Sequence, residues 1–161
     1  MKQKTLIISA IAFFIVILDY FSKVILLDFM SAHSGYYKVF SNFNLVQVWN
    51  YGVSFGMFQL PPGWGPYVWS FLSIILVVLL FIWALKSQSS FMRFNIALII
   101  GGAIGNVIDR FKYGAVADFF DFHIWNYHWP AFNVADIAIF CGACLIIVSE
   151  LFFSSTSVSK R

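Results

Sequence analysis

Charged residues are scarce in this sequence. They make up 11% of its 161 residues, against 61% hydrophobic and 20% aromatic residues. Because a soluble domain carries roughly 25% charged residues, this composition excludes an ordinary soluble enzyme and favours a membrane protein. The lysine and arginine residues are scattered along the chain, whereas a nucleic-acid-binding protein clusters them on one surface. We therefore expect no nucleic-acid partner.

Cysteines are few, and the signatures of common hydrolases are missing. Cys141 and Cys144 lie three positions apart in an apolar run, without further cysteines to complete a metal set. We interpret them as small apolar packing residues. No Gly-x-Ser-x-Gly elbow or His-Glu-x-x-His pair occurs, and neither cysteine is near a histidine. Serine, cysteine and ordinary zinc mechanisms therefore have no support.

Histidine and carboxylate side chains leave one metal alternative open. Such groups hold zinc or manganese, and the residues available are Asp118, Asp121, His123 and His128. Their spacing matches no recognised ligand motif. From the sequence we therefore assign no metal ligand and no cofactor.

Four apolar runs are long enough to cross a membrane. A helix needs about 20 apolar residues to span a hydrocarbon core of about 30 Å. The predicted spans are residues 6–27, 67–85, 91–108 and 135–153. Two lysines precede the first run as they would in a cleavable signal peptide, but its length and the polar Asp19 and Lys23 favour a retained helix.

The basic residues at the helix ends predict the orientation of the chain. One side of the membrane receives three, which are Lys38, Arg110 and Lys112. The other side receives six, which are Lys2, Lys4, Lys86, Arg93, Lys160 and Arg161. Because positive flanks stay in the cytoplasm, we predict that both termini are cytoplasmic and that segments 28–66 and 109–132 are extracytoplasmic.

The segment between the first two spans has the pattern of short strands. Aromatic and β-branched residues alternate with polar ones between Tyr36 and Phe58, which predicts a small extracytoplasmic sheet, a cradle at the membrane surface. Residues 1–161 contain no internal repeat or linker, which predicts a single domain. The expected fold is an all-α membrane protein of four transmembrane helices, with this sheet and a periplasmic loop or short helix.

Polar residues gather near the outer ends of the predicted spans. A charge within a bilayer is costly and usually faces the protein interior, where it serves a function. The span assignment gives these residues one membrane depth, so we expect a polar pocket that opens outward. The residues are Asp19, Lys23, Asn106, Asp109, Arg110, Asp118, Asn133 and Asp136.

Simpler roles remain open for several of these residues. Asp19 and Lys23, four apart on one helix face, can form an ion pair that only stabilises the helices. Asn133 can cap the fourth helix. Asp118 can be a solvated surface carboxylate.

Two neighbouring carboxylates suit the hydrolysis of an amide bond. One holds a proton near neutral pH because both cannot ionise easily together. The ionised partner activates a water molecule, and the protonated partner stabilises the developing oxyanion. Spacing alone leaves open which two aspartates do this among Asp19, Asp109, Asp118 and Asp136.

Five sequence blocks occur in the order typical of one family. They are DYFSK at 19–23, NYGVSFG at 50–56, GGAIGNVIDR at 101–110, VADF at 116–119 and FNVAD at 132–136. Over nearly its whole length the chain resembles the lipoprotein signal peptidases, which are type II signal peptidases and aspartyl peptidases. The resemblance implies that Asp118 and Asp136 are the catalytic pair.

The resemblance also implies supporting residues and a substrate. Asn106, Asp109, Arg110 and Asn133 would hold the dyad and the substrate backbone, while pocket shape would depend on Asp19, Lys23, Asn50 and Gly52. The implied substrate is a prolipoprotein with a diacylglyceryl-modified cysteine, cut just before that cysteine by a monomer in contact with membrane lipid. The loop 111–127 would move to admit the substrate.

Two other classes of protein compete with this interpretation. A transporter could use the buried charges as an ion path, but the second span is almost wholly apolar. A non-enzymatic adaptor packed through Gly101 and Gly105 leaves Asp118 and Asp136 without a function.

Overall fold

Four long helices form most of the fold. The computed structural model describes residues 2–52, 58, 60 and 63–153. In that part of the chain the helices are α1 Lys2–Ala32, α2 Gly65–Lys86, α3 Ser90–Tyr113 and α4 Val134–Phe153. Each is long and apolar enough to cross a membrane. The predicted membrane fold is confirmed.

Helix α3 continues past residue 108, where its predicted span ends. Its last turn carries Arg110 and Lys112, and cations at a helix C-terminus interact favourably with the helix dipole. The helix stops at Gly114, which has φ 73° and donates its N–H to the carbonyl oxygen of Arg110 over 3.1 Å. Glycine adopts this left-handed cap without strain. Asp109 and Arg110 therefore stay on the helix that carries Asn106.

Helix α3 is the central helix of the bundle. In its apolar window 61% of the residues are buried, compared with 11–17% in the other three spans. A Cβ at Gly101 would lie 2.7 Å from the carbonyl oxygen of Ala12 on α1, and one at Gly105 would lie 2.5 Å from Oδ2 of Asp19. Small residues allow this close packing of membrane helices. The polar outer end of α3 is thus brought against α1.

An antiparallel sheet follows the C-terminal ends of α1 and α3. Its strands are β1 Tyr36–Phe40, β2 Phe43–Asn50, β3 Val116–Ile124 and β4 Tyr127–His128, in the order β1-β2-β3-β4. The register pairs Val48 with Asp118 and Asn50 with Val116. The end of β2 therefore lies beside the start of β3.

The second half of this sheet differs from the prediction. β1 and β2 fall within the predicted range 36–58, of which 53–57 lie outside the described residues. The segment 111–127 was predicted as a loop, and this is wrong, because it completes α3 and forms β3; its movement on substrate entry stays a prediction. Val116 to Phe119 are all buried, so β3 lacks the alternation of apolar and polar residues that indicates a strand.

A buried cluster attaches the sheet to the end of α1. Phe119 on β3 is 1% exposed and packs with Met30 and Ala117. At the other end of α1, Lys4 Nζ donates to the carbonyl oxygen of Ser87 over 2.9 Å. The start of α1 therefore lies beside the α2–α3 connection, and β3 lies at the opposite end of the bundle.

Candidate active site

Asp118 is a buried carboxyl group on β3. It is 2% exposed, so it is not the solvated surface residue that the sequence left open. Asn133 Nδ2 lies 2.7 Å from its Oδ1, and Asn50 Nδ2 lies 3.2 Å from its Oδ2. The Gly52 N–H donates to Asn50 Oδ1 over 3.0 Å, which fixes the Asn50 amide. Two oriented amides thus hold the carboxyl in place.

The surroundings of Asp118 favour its protonated form. Burial is the largest cause, and the nearby carboxylate of Asp136 adds to it, while hydrogen bonds from Asn133 and Asn50 act in the opposite direction. Together they raise the pKa of Asp118 from an ordinary 3.8 to about 7. A carboxyl group with this pKa can supply a proton at neutral pH.

Asp136 lies in the first turn of α4, where it accepts hydrogen bonds. Asn106 Nδ2 donates to its Oδ1 over 2.9 Å, and the Asn133 N–H donates to its Oδ2 over 3.3 Å. In return Asn133 Oδ1 accepts the Asp136 N–H over 3.0 Å. This reciprocal pair is a capping box at the start of α4. Asn133 therefore caps α4 and also contacts both Asp118 and Asp136.

Lys23 is the centre of a buried ion cluster. Its Nζ lies 2.7 Å from Asp19 Oδ2, 2.8 Å from Asp109 Oδ2 and 3.1 Å from Asn106 Oδ1. The predicted Asp19–Lys23 pair is therefore present. Lys23 is 2% exposed, Asp19 1% and Asp109 4%. A buried charge needs such partners because removing it from water is costly.

Backbone N–H groups complete the contacts of the two carboxylates in this cluster. Asp19 Oδ1 accepts the N–H of Ala135 over 2.9 Å, and Asp109 Oδ2 accepts the N–H of Ala117 over 3.1 Å. The cluster thereby links α1 and α3 to the start of α4 and to β3. Asp19 and Asp109 are bound to a cation, whereas side-chain amides bind Asp118 and Asp136. This contrast separates the four aspartates into two pairs.

Arg110 joins α3 to the segment after β2. Its Nη2 donates to the carbonyl oxygen of Gly52 over 2.9 Å, and its Nη1 to that of Asn106 over 3.3 Å. It also interacts electrostatically with the carboxylates of Asp136, Asp118 and Asp109. Its positive charge offsets part of the negative charge collected at this site.

Three cavities adjoin the two aspartates. Asp118 lines one of about 510 Å³. Asp136 lines one of about 180 Å³ together with Asn106 and Arg110. It also borders an apolar groove of about 240 Å³ whose other walls are Trp129, Phe132, Ile137 and Phe140. Cavities that contain the two carboxyl groups therefore adjoin an apolar groove at this site.

A second polar cluster lies farther along β3. Of the four residues considered as metal ligands, the structure brings together Asp121, His123 and His128 and leaves Asp118 out. Burial opposes ionisation of Asp121, but hydrogen bonds from Asn44 and His128 outweigh it and lower the pKa of Asp121. Sequence reasoning missed Asn44, which is 2% exposed. The feature of the sequence that could have indicated Asn44 is a polar residue within an otherwise apolar predicted strand.

Comparison with known proteins decides which family has this arrangement. Residues 11–152 match the family described as signal peptidase (SPase) II. This chain belongs to the signal peptidase II family. It is 38% identical over 149 residues to the lipoprotein signal peptidase of Anaplasma phagocytophilum (strain HZ), which covers 92% of this chain and 94% of that relative.

Further relatives of the signal peptidase II family support the assignment. The lipoprotein signal peptidase of Cupriavidus necator is 46% identical over 146 residues, covering 88% of this chain and 81% of the relative. A bacterial membrane enzyme solved by the in meso method at 2.3 Å resolution has a TM-score of 0.79 and 30% identity, covering 96% of this chain and 93% of the solved chain. The resemblance found in the five sequence blocks is confirmed.

Membership of the signal peptidase II family fixes the class of protein. The chain is a peptidase. With four helices able to span a membrane, it is a multi-pass protein of the bacterial inner membrane. The transporter and adaptor interpretations are therefore rejected.

Proposed function

We propose that this peptidase is of the aspartic type and that Asp118 and Asp136 are its catalytic pair. It removes the signal peptide from prolipoproteins, cutting before a diacylglyceryl-modified cysteine. The observation that carries the choice of residues is the contrast among the four aspartates. Asp19 and Asp109 are bound to Lys23, which favours a structural role. Asp118 and Asp136 line the cavities, and their hydrogen bonds in the described part of the chain come from amide groups.

The two carboxyl groups have different roles in this mechanism. Asp136 receives two N–H hydrogen bonds; since two neighbouring carboxyl groups share one proton near neutral pH and Asp118 holds it, Asp136 is assigned the base. Asp118, with a pKa raised to about 7, acts as the acid. This division lets one site supply and accept a proton at neutral pH.

The reaction proceeds through a tetrahedral intermediate. Asp136 takes a proton from water as the water oxygen bonds to the scissile carbonyl carbon, and Asp118 gives its proton to the carbonyl oxygen. The carbon–nitrogen bond then breaks as Asp136 passes its proton to the leaving nitrogen. The proton on the former carbonyl oxygen returns to Asp118. Both carboxyl groups end in their starting states, and one water molecule is consumed.

The supporting residues keep the pair in position. Asn50 and Asn133 orient Asp118, and Asn106 orients Asp136. Lys23 holds Asn106 from the other side, while Arg110 anchors the backbone at Gly52. Each supporting residue predicted from the sequence thus has a contact that suits its proposed role.

The apolar groove beside Asp136 suits the lipid part of the substrate. Its walls of Trp129, Phe132, Ile137 and Phe140 match acyl chains, because burial of apolar surface drives such binding. We propose that a diacylglyceryl group lies there while the peptide crosses the cavity at Asp118.

The proposed topology places this site outside the cytoplasm. The basic residues at the helix ends favour cytoplasmic termini, and β3 lies at the opposite end of the bundle from Lys4. We propose that the chain acts as one domain and as a monomer, since the pair and its partners all come from one chain.

The test is cleavage of a purified diacylglyceryl-modified prolipoprotein in detergent. Asp118→Asn and Asp136→Asn should each lower kcat/KM by at least about 100-fold while leaving the thermal unfolding transition intact. Asp28→Asn, the same change at an exposed aspartate of α1, is the matched control and should cleave like wild type. A chelator should not change the rate. Cleavage by either folded Asn variant would refute the aspartic mechanism.

A further inference from the structure

The Asp121 cluster is placed by the pairing of β3 with β4. Asp121 and His123 are two residues apart on β3, so their side chains project from one face of the strand. His128 on β4 lies directly opposite His123 in the register. The imidazole rings stack with centroids 4.7 Å apart and an angle of 16° between their planes. Two imidazoles and one carboxylate therefore converge without depending on a flexible loop.

The distances in this cluster suit a metal ion. Tetrahedral zinc with bonds of about 2.1 Å separates its ligand atoms by about 3.4 Å. His128 Nδ1 lies 3.0 Å and His123 Nδ1 lies 3.8 Å from the same atom, Asp121 Oδ2, so the two distances bracket this separation. One ligand atom from each residue can be chosen with all of them within 4.8 Å of one another.

Neighbouring polar groups orient the side chains of this cluster. Asn44 Nδ2 donates to Asp121 Oδ2 over 2.8 Å, and Asn44 Oδ1 accepts from the Tyr36 hydroxyl over 3.1 Å. Asn44 Nδ2 also lies 3.3 Å from His123 Nδ1. Asn44 therefore contacts two of the three residues. Metal sites are commonly oriented by such outer hydrogen bonds.

We propose that Asp121, His123 and His128 form a zinc-binding site, separate from the catalytic pair. Imidazole and carboxylate ligands suit zinc. The His128 side chain is 53% exposed, which gives the ion a path of entry and leaves room for water as a further ligand. The site shares the cavity of about 510 Å³ with Asp118 and does not use Asp118 as a ligand.

Zinc binding is measured by calorimetry on the purified full-length protein in detergent, with an affinity tag that contains no histidine. Wild type should bind one zinc ion per chain. His128→Ala and Asp121→Asn should each weaken binding by more than about 10-fold, because even loss of an outer partner of a metal ligand costs 10- to 100-fold. Asn44→Ala removes such an outer partner and should weaken zinc binding by about 10- to 100-fold. Each variant must keep the wild-type unfolding transition in the absence of zinc.

Two controls locate the ion. His33→Ala removes the remaining histidine, in the turn after α1, and Asp118→Asn removes the other carboxyl group of the cavity; both should bind zinc like wild type. Cobalt added instead of zinc should give the visible absorption of a tetrahedral site, lost in His128→Ala. The proposal is wrong if wild type does not bind, if His128→Ala binds equally well, or if Asp118→Asn abolishes binding. These readouts do not require cleavage activity, so they stand apart from the proposed peptidase mechanism.

Discussion

Asn133 Nδ2 donates a hydrogen bond of 2.7 Å to Asp118 Oδ1, the shortest contact of that carboxyl group. The same residue begins α4, where its other side-chain atom, Oδ1, accepts the Asp136 N–H. One asparagine thus sets the start of a helix and the position of a carboxyl group on a strand. A shift of α4 relative to β3 would strain both contacts.

The two roles of Asn133 can be separated by substitution. Asn133→Ser keeps an N-cap hydroxyl but loses the amide donor to Asp118, whereas Asn133→Ala loses both. We expect Asn133→Ala to lower the free energy of unfolding by about 0.5–2 kcal/mol and Asn133→Ser to lower it less. Both should reduce kcat/KM by about 10- to 100-fold, through loss of a hydrogen bond to a carboxyl group. Unfolding and cleavage assays check this; a fully active Asn133→Ser would show that the amide donor is dispensable.

Cleavage should depend on pH through Asp118. Its pKa of about 7 means that its proton is lost above neutral pH, and the proposed mechanism needs that proton. We expect kcat/KM to fall about tenfold per pH unit well above this pKa. A pH profile of wild type measures the fall. If kcat/KM stays constant up to pH 9, a group other than Asp118 is the acid.

Stability should also depend on pH through Asp118. Its pKa is raised on folding, so the protonated carboxyl contributes stability fully below about pH 4, and that contribution is lost as the pH rises through about 7. The loss has an upper limit of about 4 kcal/mol. Asp118→Asn lacks this titration, so wild type should lose stability relative to this variant between pH 4 and pH 8. Unfolding of both proteins across this range tests the expectation, which a constant difference would contradict.

Lys23 should be the most sensitive residue for stability. Lys23→Met leaves Asp19 and Asp109 as buried carboxylates without their cation, and removing one partner of a buried ion pair costs about 3–5 kcal/mol. A second change, Asp109→Asn in the Lys23→Met background, removes one uncompensated charge and should restore part of the loss. Thermal unfolding of the single and double variants measures both effects. Independent, additive losses would show that the two side chains do not interact.

Gly105 should not tolerate even alanine. The added Cβ would lie 2.5 Å from Asp19 Oδ2 and would push that carboxylate away from Lys23 and from the Ala135 N–H. We expect lower stability together with cleavage reduced by about tenfold or more, since a small displacement near a catalytic group is costly. Gly114→Ala is the matched comparison, because that position has open space but a φ of 73°. It should lower stability through backbone strain alone and leave kcat/KM near the wild-type value.

Hydropathy was sufficient for the four spans but not for the strand that carries Asp118. The spans are long and uniform, so their apolar character is evident in the residues themselves. Val116 to Phe119 are buried on both faces, and this burial depends on α1 and Asn133, which are distant in sequence. The roles of the four aspartates likewise depend on contacts between residues that are distant in sequence. The contact of Lys23 with Asp109, which joins two helices, supports the proposed separation of structural from catalytic aspartates, and the spacing in the sequence does not reveal it.

The contact between Asp19 and the Ala135 N–H has a consequence for how the enzyme is made. Asp19 is synthesised 116 residues before Ala135. The contacts of the helix turn that carries Asp136 are therefore complete only once α4 has met α1 within the bilayer. A nascent chain that still lacks α4 can contain Asp118 but not the finished pair, so we expect hydrolytic competence to arise late in biogenesis.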